Sequence, residues 1–106
     1  MIIEKKPGNG EYPAVSLDSG VITVGDQSVA LDDVRGDSEE IVDLKRGRAF
    51  LANIIVPPNR YEMVDTGETD EDGNIVYDKQ LQPVDTNRLR VIVWPQVQEP
   101  ENQQEV

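Results

Sequence analysis

Short apolar runs separated by turn-forming residues recur along most of this chain. Residues 14–17, 21–24 and 28–31 are three such runs, and the second is dense in β-branched side chains, which favour strands. A Gly25-Asp26 turn separates the last two runs. The spacing therefore predicts a β-hairpin over residues 21–31.

The most apolar run covers residues 49–56 and ends at Pro57-Pro58, where the ladder of strand hydrogen bonds must stop. Its length and β-branched end predict a central strand that is buried on both faces. The alternation of polar and apolar residues over positions 60–64 predicts a half-buried strand. Residues 75–77 and 88–94 predict two further strands. We expect the centre of the core to include Phe50, Leu51, Ile54, Ile55, Val91, Val93 and Trp94, and the aromatic rings of Tyr61, Tyr77 and Trp94 to pack in the core or at its rim.

The segment between residues 32 and 47 fits two structures. Asp37 or Ser38 is a suitable N-cap for a helix that ends at Gly47 and places Ile41 and Leu44 on one face. Alternatively, residues 41–44 pair with residues 49–51 across a turn at residues 45–48. We favour the helix, although two turns are marginally stable in isolation.

These elements predict a mainly β fold, a small single-domain antiparallel sandwich or partly open barrel with at most one short helix. The predicted domain covers residues 1–95. Residues 96–106 are polar and offer almost nothing to bury, so we expect them to form a disordered tail.

Composition narrows the possible chemistry. The formal net charge is −11, which disfavours contact with nucleic acid or with an anionic membrane. Cysteine and histidine are both absent, so the commonest general base, zinc ligand and nucleophile pairs are excluded. We expect no catalytic residue and no cofactor. The N-terminal segment has no apolar signal-peptide region, so we expect a soluble protein that is cytoplasmic or part of a virion.

The acidic stretch from residue 69 to residue 80 is a candidate calcium-binding loop. With Gly73 at the sixth position of an EF-hand loop, Glu68, Asp70 and Asp72 occupy the first, third and fifth ligand positions. The twelfth position, however, is Lys79, a cation where the ion needs a bidentate carboxylate. An Asp72-Gly73 turn between apolar runs instead predicts a plain hairpin tip. We therefore predict no metal site, with Glu68, Asp70 and Asp72 as the weak candidates.

Two further motifs are weak. Arg35-Gly36-Asp37 spells the tripeptide that integrin ligands display, but a polar turn is the simpler interpretation. Lys45, Arg46 and Arg48 form a dense basic cluster. It could dock an acidic partner, but we expect it to balance acidic residues nearby in the sequence.

The small core, the acidic hairpin and the polar ends predict a non-catalytic structural or protein-interaction module. We expect its partners to be other protein subunits, in a larger assembly or a homo-oligomer, and one setting is an accessory component of a phage-like particle. The alternatives are an acidic inhibitor that mimics nucleic acid in a basic groove and a calcium-dependent adhesion module.

Overall fold

The computed structural model of the protein describes residues 1–96. This part of the chain forms nine strands and one single-turn helix: β1 (Ile2–Lys5), β2 (Val15–Asp18), β3 (Val21–Val24), β4 (Gln27–Ala30), α1 (Leu31–Val34), β5 (Glu40–Arg46), β6 (Ala49–Val56), β7 (Tyr61–Thr69), β8 (Ile75–Leu81) and β9 (Arg90–Val93).

Seven of the strands form two sheets that share one core. The larger sheet has the order β1-β9-β6-β5, and the smaller has the order β2-β3-β4. Buried residues from both sheets pack in one cluster, which includes Ile22 and Val24 from β3 and Ile54 and Val91 from the larger sheet. The predicted mainly β fold is confirmed, and the sheets are not closed into a barrel. We call these two sheets, with α1, the body.

Turn chemistry explains the smaller sheet. Gly25 has φ +60°, a left-handed conformation that glycine adopts at little cost, and it joins β3 to β4 at the predicted place. The hairpin predicted over residues 21–31 is therefore confirmed. The chain then makes the single turn of α1, which buries Leu31 under the sheet.

The helix favoured over residues 38–46 is wrong, and the alternative hairpin is present instead. β5 pairs antiparallel with β6 from Glu40 opposite Val56 to Arg46 opposite Ala49. Val42 and Leu44 alternate onto the core side, whereas Ile41 is exposed. The two-residue period of a strand buries Val42 and Leu44, and pairing with the long strand β6 satisfies the backbone hydrogen bonds of β5. Together these two effects outweigh the local capping signals for a helix.

β6 is central, as predicted, but it is not buried on both faces. Leu51, Ala52, Ile54 and Val56 are fully buried, whereas Ile55 on the other face is partly exposed. Among the predicted core residues, Leu51, Ile54, Val91 and Val93 are confirmed. Phe50, Ile55 and Trp94 are only partly buried. Six fully or almost fully buried side chains were not among the predicted core centre: Ile22, Val24, Leu31, Ala52, Val56 and Leu89.

The chain ends of the body are tied to its sheets. β1 was not predicted, and it runs parallel to β9 with Ile3 beside Val91. Gln96, the first residue of the predicted tail, donates its backbone N–H to Glu11 O at 2.7 Å and its side-chain amide to Phe50 O at 3.2 Å. The rest of the predicted tail lies outside the described residues.

Candidate protein-interaction surface

Strands β7 and β8 form a two-stranded sheet of their own, separate from the body. We call residues 61–81, which contain both strands and the loop between them, the arm. Within residues 1–96 no third strand pairs with the arm. Nearly every arm residue is exposed, with only Val64 and Val76 partly buried. A nine-residue strand spans roughly 30 Å, so the arm is long for an element that a sheet does not support.

One face of the arm carries a line of large apolar side chains. The register places Tyr61 opposite Leu81 and Met63 opposite Lys79, and Tyr77 and Ile75 continue the same face along β8. We call Tyr61, Met63, Ile75, Tyr77 and Leu81 the apolar stripe. Their exposed fractions range from 41% to 60%. These five residues are half of the large hydrophobic side chains that the described part of the chain leaves exposed.

The stripe also contains one cation. Lys79 Nζ lies 4.0 Å from the centroid of the Tyr61 ring, so its aliphatic stem extends along the stripe and its charge contacts the face of the ring. Lys79, at the twelfth position of the EF-hand alignment, is thus part of a contact with an aromatic ring.

The opposite face of the arm is mainly polar. Glu62 lies opposite Gln80, and Val64 lies opposite Asp78. The two-residue period therefore places the five large apolar side chains on one face, with Asp65 and Lys79 among them, and the smaller Val64 and Val76 on the other. This separation places the apolar face of the arm in solvent.

The arm is also the most acidic part of the chain. Residues 61–81 contain seven carboxylates and one lysine, a net charge of −6 out of the −11 of the whole chain. Much of this charge lies at the tip, between Glu68 and Asp72. The apolar stripe is thus on an element whose charge repels a second element of the same kind.

Local hydrogen bonds hold the end of the arm in its turn. Asp70 Oδ1 accepts the backbone N–H groups of Asp72 at 3.0 Å and Asn74 at 2.9 Å, as a turn-forming aspartate does. Within residues 1–96 no group of three or more Asp, Glu, His or Cys side chains is placed to hold a metal ion. The geometry places Asp70 in the turn, and the absence of a calcium site at Glu68, Asp70 and Asp72 stays a prediction.

The arm is fixed to the body by Arg35, whose side chain is largely buried. Its Nε donates to Asn59 Oδ1 at 2.6 Å, and its Nη2 donates to Gln82 O at 2.6 Å. Asn59 lies just before the arm, and Gln82 follows it directly. One guanidinium group therefore holds both ends of the arm, while Asp32 accepts from its Nη1 at 3.3 Å.

Gly36 and Asp37 complete this attachment. Gly36 O accepts the backbone N–H of Asn59 at 2.8 Å, and the Asp37 carboxylate accepts from the Asn59 amide and from the Tyr61 hydroxyl. All three residues of the integrin-like tripeptide therefore contact the base of the arm. We call Arg35, Gly36, Asp37 and Asn59 the clamp.

The hydrogen bond between Tyr61 and Asp37 shifts the pKa values of both side chains. The Tyr61 hydroxyl, and then the Asn59 amide, stabilise the carboxylate and lower the pKa of Asp37 below its usual value. The same hydrogen bond to Asp37 raises the pKa of Tyr61, because ionisation of the phenol would remove the donated proton. At neutral pH both groups are in the states that hold the base of the arm to the body.

The basic cluster makes contacts different from those expected. Arg46 Nη2 lies 3.0 Å from Asp26 Oδ1 in the β3–β4 turn, and Lys45 Nζ lies 5.2 Å from the centroid of the Phe50 ring. Neither contact involves the acidic residues next to the cluster in the sequence. Asp26 comes from an earlier turn of the chain and Phe50 is uncharged, so charge spacing alone did not identify these partners.

A cavity of about 680 Å³ opens between the body and the base of the arm. Its lining includes Leu31, Arg35, Asn59, Leu81 and Val84. All three nitrogens of the Arg35 guanidinium already donate to protein oxygens. The cavity therefore has an apolar wall and a polar group that is engaged in structure, which suits packing better than chemistry.

No helix in residues 1–96 has the length and apolar character needed to cross a membrane. Comparisons with protein-family models, with curated proteins and with solved structures found no match. The geometry of the arm, its stripe and its clamp is therefore the basis for inferring function.

Proposed function

We propose that this protein is a non-catalytic assembly subunit that contacts another protein through the apolar stripe of its arm. The proposal includes a soluble location, in the cytoplasm or in a particle such as a phage virion, and partners that are protein subunits rather than nucleic acid or membrane.

The stripe is the observation that carries this proposal. Large, contiguous apolar surfaces are uncommon on soluble monomers and mark places where another molecule binds. A two-stranded hairpin is marginally stable in water unless a further surface covers its apolar face. Docking would bury Tyr61, Met63 and Tyr77 together, and aromatic and methionine side chains are enriched in protein interfaces.

The chemistry of the chain supports a non-catalytic role. With no histidine or cysteine, a reaction would have to depend on carboxylates, hydroxyls or lysines. The cavity at the base of the arm is bordered by Arg35, whose guanidinium nitrogens already donate to protein oxygens.

Two other candidate functions receive less support. A nucleic-acid mimic needs carboxylates spaced along one face, whereas the arm has Asp65 on the stripe side and Glu62 and Asp78 on the other side. An adhesion module needs a free Asp37 carboxylate, but this group accepts hydrogen bonds from Asn59 and Tyr61.

Site-specific photocrosslinking tests the proposal. A photoreactive amino acid replaces Tyr77 on the stripe or, as a matched control on the opposite face, Asp78, in cells that naturally produce the protein. We expect a crosslinked protein from position 77 and little or none from position 78. Equal crosslinking from the two positions, or none from position 77 and from Met63, would contradict the proposal.

A further inference from the structure

The larger sheet of the body has a second exposed apolar surface, on the side that faces away from the core. Its register aligns Ile41, Ile55, Arg90 and Ile2 across all four strands. Ile41 is 61% exposed and Ile2 is 48% exposed. We call this side of the four-stranded sheet the outer face.

Aromatic rings and lysines extend the outer face at one end. Trp94 Nε1 donates to Asn53 Oδ1 at 2.6 Å, which places the indole on this side of the sheet, and the Phe50 ring lies 5.2 Å from it. Lys6 Nζ lies 5.5 Å from the centroid of the Trp94 ring, and Lys45 makes the corresponding contact with Phe50. The surface is therefore apolar with cations beside it.

The charge of this sheet is opposite to that of the arm. The outer face carries three basic residues, Lys6, Lys45 and Arg90, and two acidic residues, Glu4 and Asp43, although the whole chain is strongly acidic. On the outer face, Glu4 accepts from Arg90 at 2.7 Å, and Asp43 accepts from the Asn53 amide at 2.7 Å. Both carboxylates of the outer face are thus engaged, whereas Lys6 and Lys45 each lie over an aromatic ring.

From this complementarity, and building on the proposed function, we infer that the partner of the arm is a second copy of this chain. The acidic arm of one copy packs its apolar stripe against the outer face of the next copy, where Lys6 and Lys45 lie beside the apolar side chains. A ribbon on a sheet is ordinary sheet-on-sheet packing, with a spacing of about 10 Å. Contact between two arms is disfavoured because each carries −6.

This contact joins two different surfaces, so it is head-to-tail. Each copy has one arm and one outer face, and such contacts continue until they close into a ring or extend into a filament. Residues 97–106 are a poor alternative occupant, because Val97 and Val106 are the only large apolar side chains among them.

Complementation between two defective variants tests the inference. Tyr77→Asp disables the arm, and Ile41→Asp disables the outer face. Both sites are exposed, so we expect both variants to fold, and thermal melts check this. Sedimentation velocity of the purified full chain should show self-association, weakened at least about tenfold in each variant alone. Mixing the two variants should restore one productive contact and give a 1:1 complex.

Matched controls place the same charge elsewhere. Gln80→Asp lies on the polar face of the arm, and Val21→Asp lies on the exposed side of the smaller sheet. Both should self-associate like the unmodified chain. Lys45→Glu is a second way to impair the outer face without altering an apolar side chain, and high salt should weaken assembly of the unmodified chain by screening.

Several results would overturn the inference. An Ile41→Asp variant that still self-associates and is strengthened by salt would indicate contact between arms. Association that appears only after residues 97–106 are removed would show that the chain's own terminus covers the outer face. An unmodified chain that stays monomeric near 1 mM, while position 77 crosslinks to a different protein, would reject self-assembly and leave the proposed function standing.

Discussion

The body and the arm are built from the same pattern of alternating apolar and polar residues, yet the pattern has opposite results in the two regions. In β6, Ile54 and Val56 alternate onto a face that is fully buried. In the arm, Met63 and Tyr77 alternate onto a face that is more than half exposed. Alternation thus determines which side chains share a face, and a separate element must cover that face.

The core residue Ile54 provides the largest expected contrast. Its side chain is fully buried, so Ile54→Ala should lower the free energy of unfolding by about 2–5 kcal/mol. Met63→Ala removes a similar volume from the arm and should change it by less than about 0.5 kcal/mol in dilute monomer. Urea unfolding measures both. A comparable loss at Met63 would mean that the stripe is covered within one chain.

The clamp should have an intermediate effect. Arg35→Ala removes hydrogen bonds to Asn59 and Gln82 and leaves their oxygens without this partner, so we expect a loss of about 1–3 kcal/mol. Amide exchange should speed up at the base of the arm more than in β6. Arg88→Ala, at an exposed position before β9, is the matched control and should be nearly neutral. Unchanged exchange around Asn59 would show that Arg35 does not hold the arm.

The pair of Tyr61 and Asp37 should give a smaller, pH-dependent effect. Because the folded chain lowers the pKa of Asp37, the carboxylate's contribution to stability is present above its ordinary pKa and is lost as pH falls through the lowered value. Because folding raises the pKa of Tyr61, the phenol's contribution is present below its ordinary pKa and is lost as pH rises through the raised value.

A carboxyl titration followed by NMR tests this pair. In Tyr61→Phe the main cause of the shift is removed, so the pKa of Asp37 should rise toward its usual value. An Asp37 titration that does not move would exclude the hydrogen bond in solution.

Calcium should have the smallest effect. A site in the arm with Kd near 10 μM would raise stability by about 2.7 kcal/mol at 1 mM ion, which thermal melts detect easily. We expect only a small rise that magnesium reproduces, because Asp70 already accepts two backbone N–H groups in the turn. A calcium-selective rise that is lost when Asp70→Asn and Asp72→Asn are combined would make these residues ligands.

Much of the fold follows from local signals in the sequence. The Gly25-Asp26 turn predicts the β3–β4 hairpin, and the Asp72-Gly73 turn predicts the tip of the arm. The apolar run of β6 predicts a central strand. These features were predictable because each depends on residues that are neighbours in the chain.

The remaining features depend on distant partners. A helix over residues 38–46 satisfied the capping rules, and only the pairing of β5 with β6 decides against it. The strand β1 has four residues and gains its structure from β9. The clamp was missed because Arg35 bonds to Asn59 and Gln82, far along the chain, and the stripe was missed because local alternation predicted cover that the structure does not provide.

The pairing of β1 with β9 has a consequence for how the chain folds. Glu4 and Arg90 lie side by side although 86 positions separate them, so forming the larger sheet requires the closure of a very long loop. Contacts between such distant segments slow folding. The arm lengthens that loop without adding to the core, and the bond from Gln82 N to Arg60 O brings its two ends together. A chain in which a tight turn replaces residues 61–81 should therefore keep the sandwich and reach it faster by less than about twofold, because the free energy of loop closure grows only slowly with loop length.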